Sequence, residues 1–148
     1  MNPFTDNPAR SVGALGERRL IAKLRDWLGA ATAPAPYGIG DDCAILPATG
    51  SRRLLVTTDP VIYGRHFDDS LSPAAAAEKL LKRNLSDIAA MGGVPRSAVV
   101  SLALPRRVSI SWIRGFYRAL GRCARRYAVT IAGGDIAESA DMLGAFLT

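Results

Sequence analysis

The sequence predicts an α/β or α+β sandwich, a mixed sheet carrying its helices on one face. Three observations predict it. Apolar residues recur at helical spacing in three segments, short β-like runs lie between them, and Gly, Pro and Ser punctuate the boundaries. The 148 residues, 49% hydrophobic and 22% charged, suit one domain with a core of its own. No internal repeat interrupts that reading.

Residues 1–14 are polar and irregular and read as a flexible arm, leaving 15–148 as the domain. A first helix follows, with Leu15, Leu20, Ile21, Leu24 and Leu28 near a 3.6 spacing, and the Ala/Pro stretch at 30–36 ends it. Residues 43–46 and 53–58 read as strands around a turn at 47–51. Pro73 opens a second helix whose buried face is Ala77, Leu80, Leu81, Leu85 and Ile88, stopped by Gly92-Gly93. Residues 97–104, rich in Val, Leu and Ala and closed by Pro105, read as a buried strand. Ser109 offers a cap for a third helix with Ile110, Ile113, Phe116, Leu120, Ala124 and Tyr127 on its apolar face. Residues 128–132 and 142–148 read as two more strands, and Trp27 and Trp112 as packing residues.

Composition removes several classes of function. The first residues lack the basic-then-apolar run of a signal peptide, and no stretch approaches the ~18 apolar residues of a membrane span. Cys43 and Cys123 are too few for a metal cage or a disulfide framework, so a reducing, cytoplasmic setting is expected. The net charge of +6 rests on three lysines and sixteen arginines. Arg114, Arg118, Arg122, Arg125 and Arg126 form a helical stripe without interleaved aromatics, which reads as a solvated face and not as a nucleic-acid footprint. None of Lys23, Lys79 and Lys82 follows a Gly, so the phosphate-binding loop GxxxxGK[ST] is missing. Gly38-Ile39-Gly40 lacks the third glycine of the dinucleotide fingerprint. One His without a nucleophile elbow argues against a serine hydrolase, and with two scattered Cys it makes a poor zinc site.

Carboxylate chemistry remains. Asp42 follows Gly-x-Gly, Asp59 ends a β run after Thr57 and Thr58, Asp87 lies late in the second helix, and Asp135 follows Gly133-Gly134. Carboxylates beside hydroxyls suit Mg²⁺, a hard cation that keeps waters and shares its shell with substrate phosphates. Neighbouring glycines let the backbone approach such phosphates. Each aspartate alone reads equally well as a turn carboxylate holding backbone N–H groups. Asp87 would face the negative end of its helix dipole, an arrangement that either Arg83, one turn earlier, or a bound cation offsets. His66, in Gly64-Arg65-His66-Phe67, is either an ordinary hydrogen-bonded residue or part of a site.

Several motifs occur in order: Leu15-Gly16-Glu17, Gly38-Ile39-Gly40-Asp41-Asp42-Cys43-Ala44, Thr57-Thr58-Asp59, Gly64-Arg65-His66-Phe67, Asn84-Leu85-Ser86-Asp87-Ile88-Ala89-Ala90-Met91-Gly92-Gly93 and Gly133-Gly134-Asp135. Together they resemble thiamine-monophosphate kinase, of the superfamily that includes aminoimidazole ribonucleotide synthetase. The resemblance implies ATP-dependent phosphorylation of thiamine monophosphate, the last step to thiamine diphosphate, with several Mg²⁺ ions. It implies an N-terminal ATP-binding domain that dimerises through its sheet, in a longer chain whose second domain would follow residue 148. By the same resemblance, Asp42, Thr57, Thr58, Asp59, Asp87 and Asp135 match metal ligands and Gly134 with Asp135 a nucleotide-phosphate contact. Tyr117 matches a nucleotide-side aromatic and His66 a substrate contact. Pro60, Tyr63, Glu78 and Arg83 depart from the family pattern. The alternatives are another ATP-dependent member of the superfamily, or an inactive fragment that only binds nucleotide or dimerises.

Overall fold

The structure, a computed structural model, describes residues 3, 5–31, 33, 39, 41–50 and 52–148. Gly38 and Gly40, most of the Ala/Pro stretch (32 and 34–36) and Ser51 of the anticipated turn lie outside the described residues. In chain order the elements are α1 (Val12–Leu15), α2 (Glu17–Leu28), β1 (Ala44–Pro47), β2 (Arg53–Val56), β3 (Asp59–Ile62), α3 (Pro73–Ala90), β4 (Ser97–Leu104), α4 (Ile110–Arg126), β5 (Thr130–Glu138) and β6 (Gly144–Leu147). The first two strands form an antiparallel hairpin. The other four make a mixed sheet in the order β3-β6-β4-β5, with β6 antiparallel to both neighbours and β4 parallel to β5. The predicted mixed sheet with helices is therefore found.

Side chains alternate across a sheet, so each transverse row faces one way. The row Asp59–Leu147–Val100–Gly134 faces α3 and α4, because Leu147 and Val100 are buried in the core that those helices close. The next row, Pro60–Phe146–Ser101–Asp135, faces away from them. Helix α3 buries Ala76, Ala77, Leu80 and Leu81, and α4 buries Phe116, Ala119, Leu120, Cys123 and Ala124. Trp112 stacks between Phe67 and Phe116, with ring centroids 5.6 and 5.4 Å away.

The structure corrects several expectations. Asp59–Ile62 is a strand of its own; Pro60 disguises it, yet proline is tolerated there because β3 is an edge strand. Ile110 is 78% exposed and Tyr127 37% exposed, since the buried stripe of α4 is the narrower i, i+3, i+4, i+7, i+8 set that starts at Phe116. Residue 128 does not begin a strand. It is the left-handed residue that ends α4, and β5 begins two residues later and runs through Gly133-Gly134-Asp135. Helix α2 forms where expected but buries nothing, so Trp27 is 69% exposed with Lys23 over its ring. The arginine stripe on α4 is exposed, as read.

Candidate functional site

Helix α3 runs beside edge strand β3, and three side chains one turn apart, Lys79, Arg83 and Asp87, reach along it. Asp87 Oδ2 accepts a hydrogen bond from the Thr57 hydroxyl at 2.7 Å. Arg83 Nη2 pairs with Asp59 Oδ1 at 2.9 Å in a half-buried ion pair, while its Nε is buried without a partner. Lys79 Nζ donates to the His66 carbonyl at 2.5 Å. Beneath them, buried Asn84 accepts the Asp59 N–H through Oδ1 at 3.0 Å. The Thr148 hydroxyl meets the Thr58 hydroxyl at 2.9 Å. Burial pushes the Cys43 thiol pKa up, and Asp87, Asp42 and Asp41 raise it further. Gly93 closes the corner, because a Cβ there would lie 2.6 Å from Leu55 Cδ1 on β2 and 3.0 Å from Ile88.

His66 sits on the turn after β3. Gly64 takes φ +76°, and the Arg65 and His66 N–H groups both donate to the Ile62 carbonyl, at 3.1 and 2.7 Å. The ring Nδ1 accepts from the Ile62 N–H at 3.1 Å, so a neutral ring carries its proton on Nε2. Burial lowers the His66 pKa, and Arg83, Lys79 and Arg65 lower it further against a smaller opposing pull from Asp59. The imidazole is thus held neutral at the edge of a basic strip.

The sequence-derived site residues separate into two groups. Thr57, Thr58, Asp59 and Asp87 meet at the α3–β3 corner, with His66 further along the same strand edge, whereas Asp42, just ahead of β1, makes no hydrogen bond to them among the described residues. Asp135 does not join them: it lies within β5, across β6 and β4 from β3, on the sheet face turned away from the helices. At Gly134 a Cβ would collide with the Val100 backbone, so this glycine is required by close strand packing beside the irregularity at Ala98/Val99. Tyr117 lies edge-on to Phe116 on α4 at 5.8 Å, its hydroxyl pKa raised by burial, and no contact links it to the corner among the described residues. Among those residues no three His, Cys, Asp or Glu side chains gather closely enough to hold an ion. The corner's donors are hydroxyl and carboxylate oxygens, the hard set that fits Mg²⁺ completed by water and phosphate. Arg83 serves Asp59 and not Asp87, whose carboxylate is held by a hydroxyl instead. Asn84 was the residue whose role sequence reasoning missed. Its signal was a polar side chain four residues after Leu80 on the apolar face of α3.

The fold and the corner define a class. The chain belongs to the family described as AIR synthase related protein, N-terminal domain, whose model matches residues 40–147. Within that class it is similar to the thiamine-monophosphate kinases of Synechococcus elongatus, 37% identical over 131 residues, and of Escherichia coli K12, 38% identical over 122 residues. Those matches cover 88% and 82% of this chain but only 38% and 37% of the relatives, so the chain spans little more than a third of their length. A solved structure described as AaThiL complexed with AMPPCP and TMP matches with a TM-score of 0.84 at 33% identity, over 95% of this chain and 43% of that one. The thiamine monophosphate kinase of Aquifex aeolicus matches with a TM-score of 0.71 at 32% identity, over 86% of this chain and 40% of that one.

Proposed function

We propose that this chain forms the nucleotide-binding part of a kinase that phosphorylates thiamine monophosphate with ATP, giving thiamine diphosphate. The carrying observation is the α3–β3 corner, where Thr57 and Asp59, with Thr58 between them, are strapped to the helix that bears Asp87. The kinase names of the relatives and the AMPPCP and TMP in the AaThiL complex support this choice of reaction. Asp42, Thr57, Thr58, Asp59 and Asp87 would hold Mg²⁺, which when bound neutralises charge on the transferring phosphoryl group. Asp135 and Gly134 are the candidate phosphate contacts from β5, Tyr117 the candidate nucleotide aromatic, and His66 the candidate contact to thiamine monophosphate. The accepting phosphate oxygen is already anionic near neutrality, since the second pKa of a phosphate ester is ~6. A neutral His66 then needs only to orient that group, and no strong general base is required.

A second copy of the chain is proposed to cover the open sheet face, where Val99 is 43% exposed beside Pro60 and Phe146. Neither a nucleic acid nor a membrane is needed in this reading. Among the described residues no helix is long and apolar enough to cross a membrane.

Calorimetry tests the proposal directly: ATP should bind the chain with Mg²⁺ present and lose most of its affinity in EDTA. Equal affinity under both conditions would remove the metal corner from the reading.

A further inference from the structure

Asn84 is 3% exposed and is the one buried polar side chain among the described residues. A carboxamide in an apolar core is destabilising unless its atoms are paired. Here they are. Oδ1 accepts from the Asp59 N–H at 3.0 Å, while Nδ2 donates to the Leu80 carbonyl at 3.0 Å and reaches the Asp59 carbonyl at 3.4 Å. The amide therefore takes both the donor and the acceptor of one residue, as the peptide of an adjoining strand does. Among the described residues strand β3 is paired on one side only, by β6, so this side chain substitutes for a neighbour on the open edge. One turn later, Asp87 holds the Thr57 hydroxyl. The segment 57–59 is tied to α3 at both ends.

We infer that Asn84 is a positioning residue: it fixes the main chain at Asp59, so that the Thr57 and Thr58 hydroxyls and the Asp59 carboxylate present one oxygen arrangement to metal and nucleotide. The inference rests on the proposed reading of this corner as the metal–nucleotide site. Donors held in advance lose less freedom on binding than donors on a free edge, which is how such a clamp raises affinity without touching the ligand.

The test compares wild type, Asn84→Leu and Leu81→Ala, the last a core truncation on the same helix that leaves the clamp intact. Two quantities are read: hydrogen exchange of the Asp59 amide, and Mn²⁺ affinity by electron paramagnetic resonance in the presence of a non-hydrolysable ATP analogue. Asn84→Leu should lose Asp59 amide protection while Val61 keeps its own, and should bind Mn²⁺ at least tenfold more weakly. Leu81→Ala should melt earlier yet keep the wild-type affinity. If Asn84→Leu does not fold, Asn84→Ser, which removes the amide without adding bulk, is read in the same way. Unchanged Mn²⁺ affinity in a folded Asn84 variant overturns the positioning role, and so does an equal loss in Leu81→Ala. Failure of wild type to bind Mn²⁺ with the analogue would overturn the site reading itself, with the inference falling alongside it.

Discussion

His66 holds its unprotonated Nδ1 against the Ile62 N–H, so protonation must break that bond and add a cation beside Arg83, Lys79 and Arg65. Its folded pKa is depressed below the ordinary value of 6.5. The stability it contributes is therefore full above that value and is lost as pH falls through the lower, folded pKa. Denaturant melts between pH 8 and pH 5 should show wild type losing more stability on acidification than His66→Asn, whose amide oxygen can still accept from Ile62. Parallel curves would detach His66 from this linkage. A second residue-scale expectation concerns Asp59. If Asp59 and Asp87 share a metal as proposed, their carboxylates repel without it, which alone would make Asp59→Asn neutral or stabilising in the absence of ligand. The Arg83 ion pair opposes that, and a partly exposed pair contributes about 0.2–1 kcal/mol. Asp59→Asn should thus melt slightly below wild type without ligand and should miss most of the stabilisation that Mg²⁺ and ATP give wild type. If the variant gains as much as wild type from those ligands, Asp59 is scaffold. Asp beside Thr or Gly is a short-range signal, so the sequence alone can pick out the acidic positions as candidates. Their partners are not legible in this way. Spacing along α3 suggested an Arg83–Asp87 pair, but the edge strand presents Asp59 to the same guanidinium.

Both long helices end in the same left-handed cap, built from different residues. Gly92 takes φ +66° after α3, with the Gly93 N–H bonded to the Ile88 carbonyl and the Gly92 N–H to that of Ala89. Ala128 takes φ +55° after α4, with Val129 bonded to Ala124 and Ala128 to Arg125. An L-residue with a side chain is strained in that region, so Ala128→Gly should raise stability by about 1 kcal/mol, measured as a shift in denaturant midpoint at constant slope. Gly134→Ala should act oppositely. Its Cβ has no room against the Val100 backbone, and overpacking of this kind costs typically 1–3 kcal/mol. A Gly134→Ala chain as stable as wild type would show that β5 can shift away at no cost. These two sites explain what was legible at this scale and what was not. A glycine after an apolar helix announces the cap, and Gly92 was read correctly. An alanine in the same conformation announces nothing, so 128 was assigned to the strand that starts beyond it. Gly133-Gly134 read as a place where backbone can approach a phosphate, because sequence shows the missing side chain but not the neighbouring Val100 carbonyl that leaves no room for one.

Across the whole molecule, burial is lopsided. The sheet face toward α3 and α4 carries Val61, Val100, Leu102, Ala145 and Leu147 in the core, while the opposite face leaves Val99 43% exposed. Its Val, Leu and Ala content marked β4 as a buried strand, but it did not show that the burial alternates, and nothing local says what meets the other side. If a second copy does, sedimentation of wild type at tens of micromolar should give a dimer, and Val99→Lys should return it to monomer with its fold intact. A wild-type monomer under those conditions would leave the face without this partner. The order of the strands has a further consequence, in the timing of synthesis. Strand β6 follows β3, β4 and β5 in sequence yet lies between β3 and β4, and the Thr148 backbone exchanges two hydrogen bonds with Val99. A ribosome delivers β3, β4 and β5 first, leaving the facing edges of β3 and β4 without the strand that joins them. Leu147 is the strand partner of Asp59, so translation must pass residue 147 before the sheet can close, and a nascent chain stalled short of it would expose those two edges to chaperones and self-association.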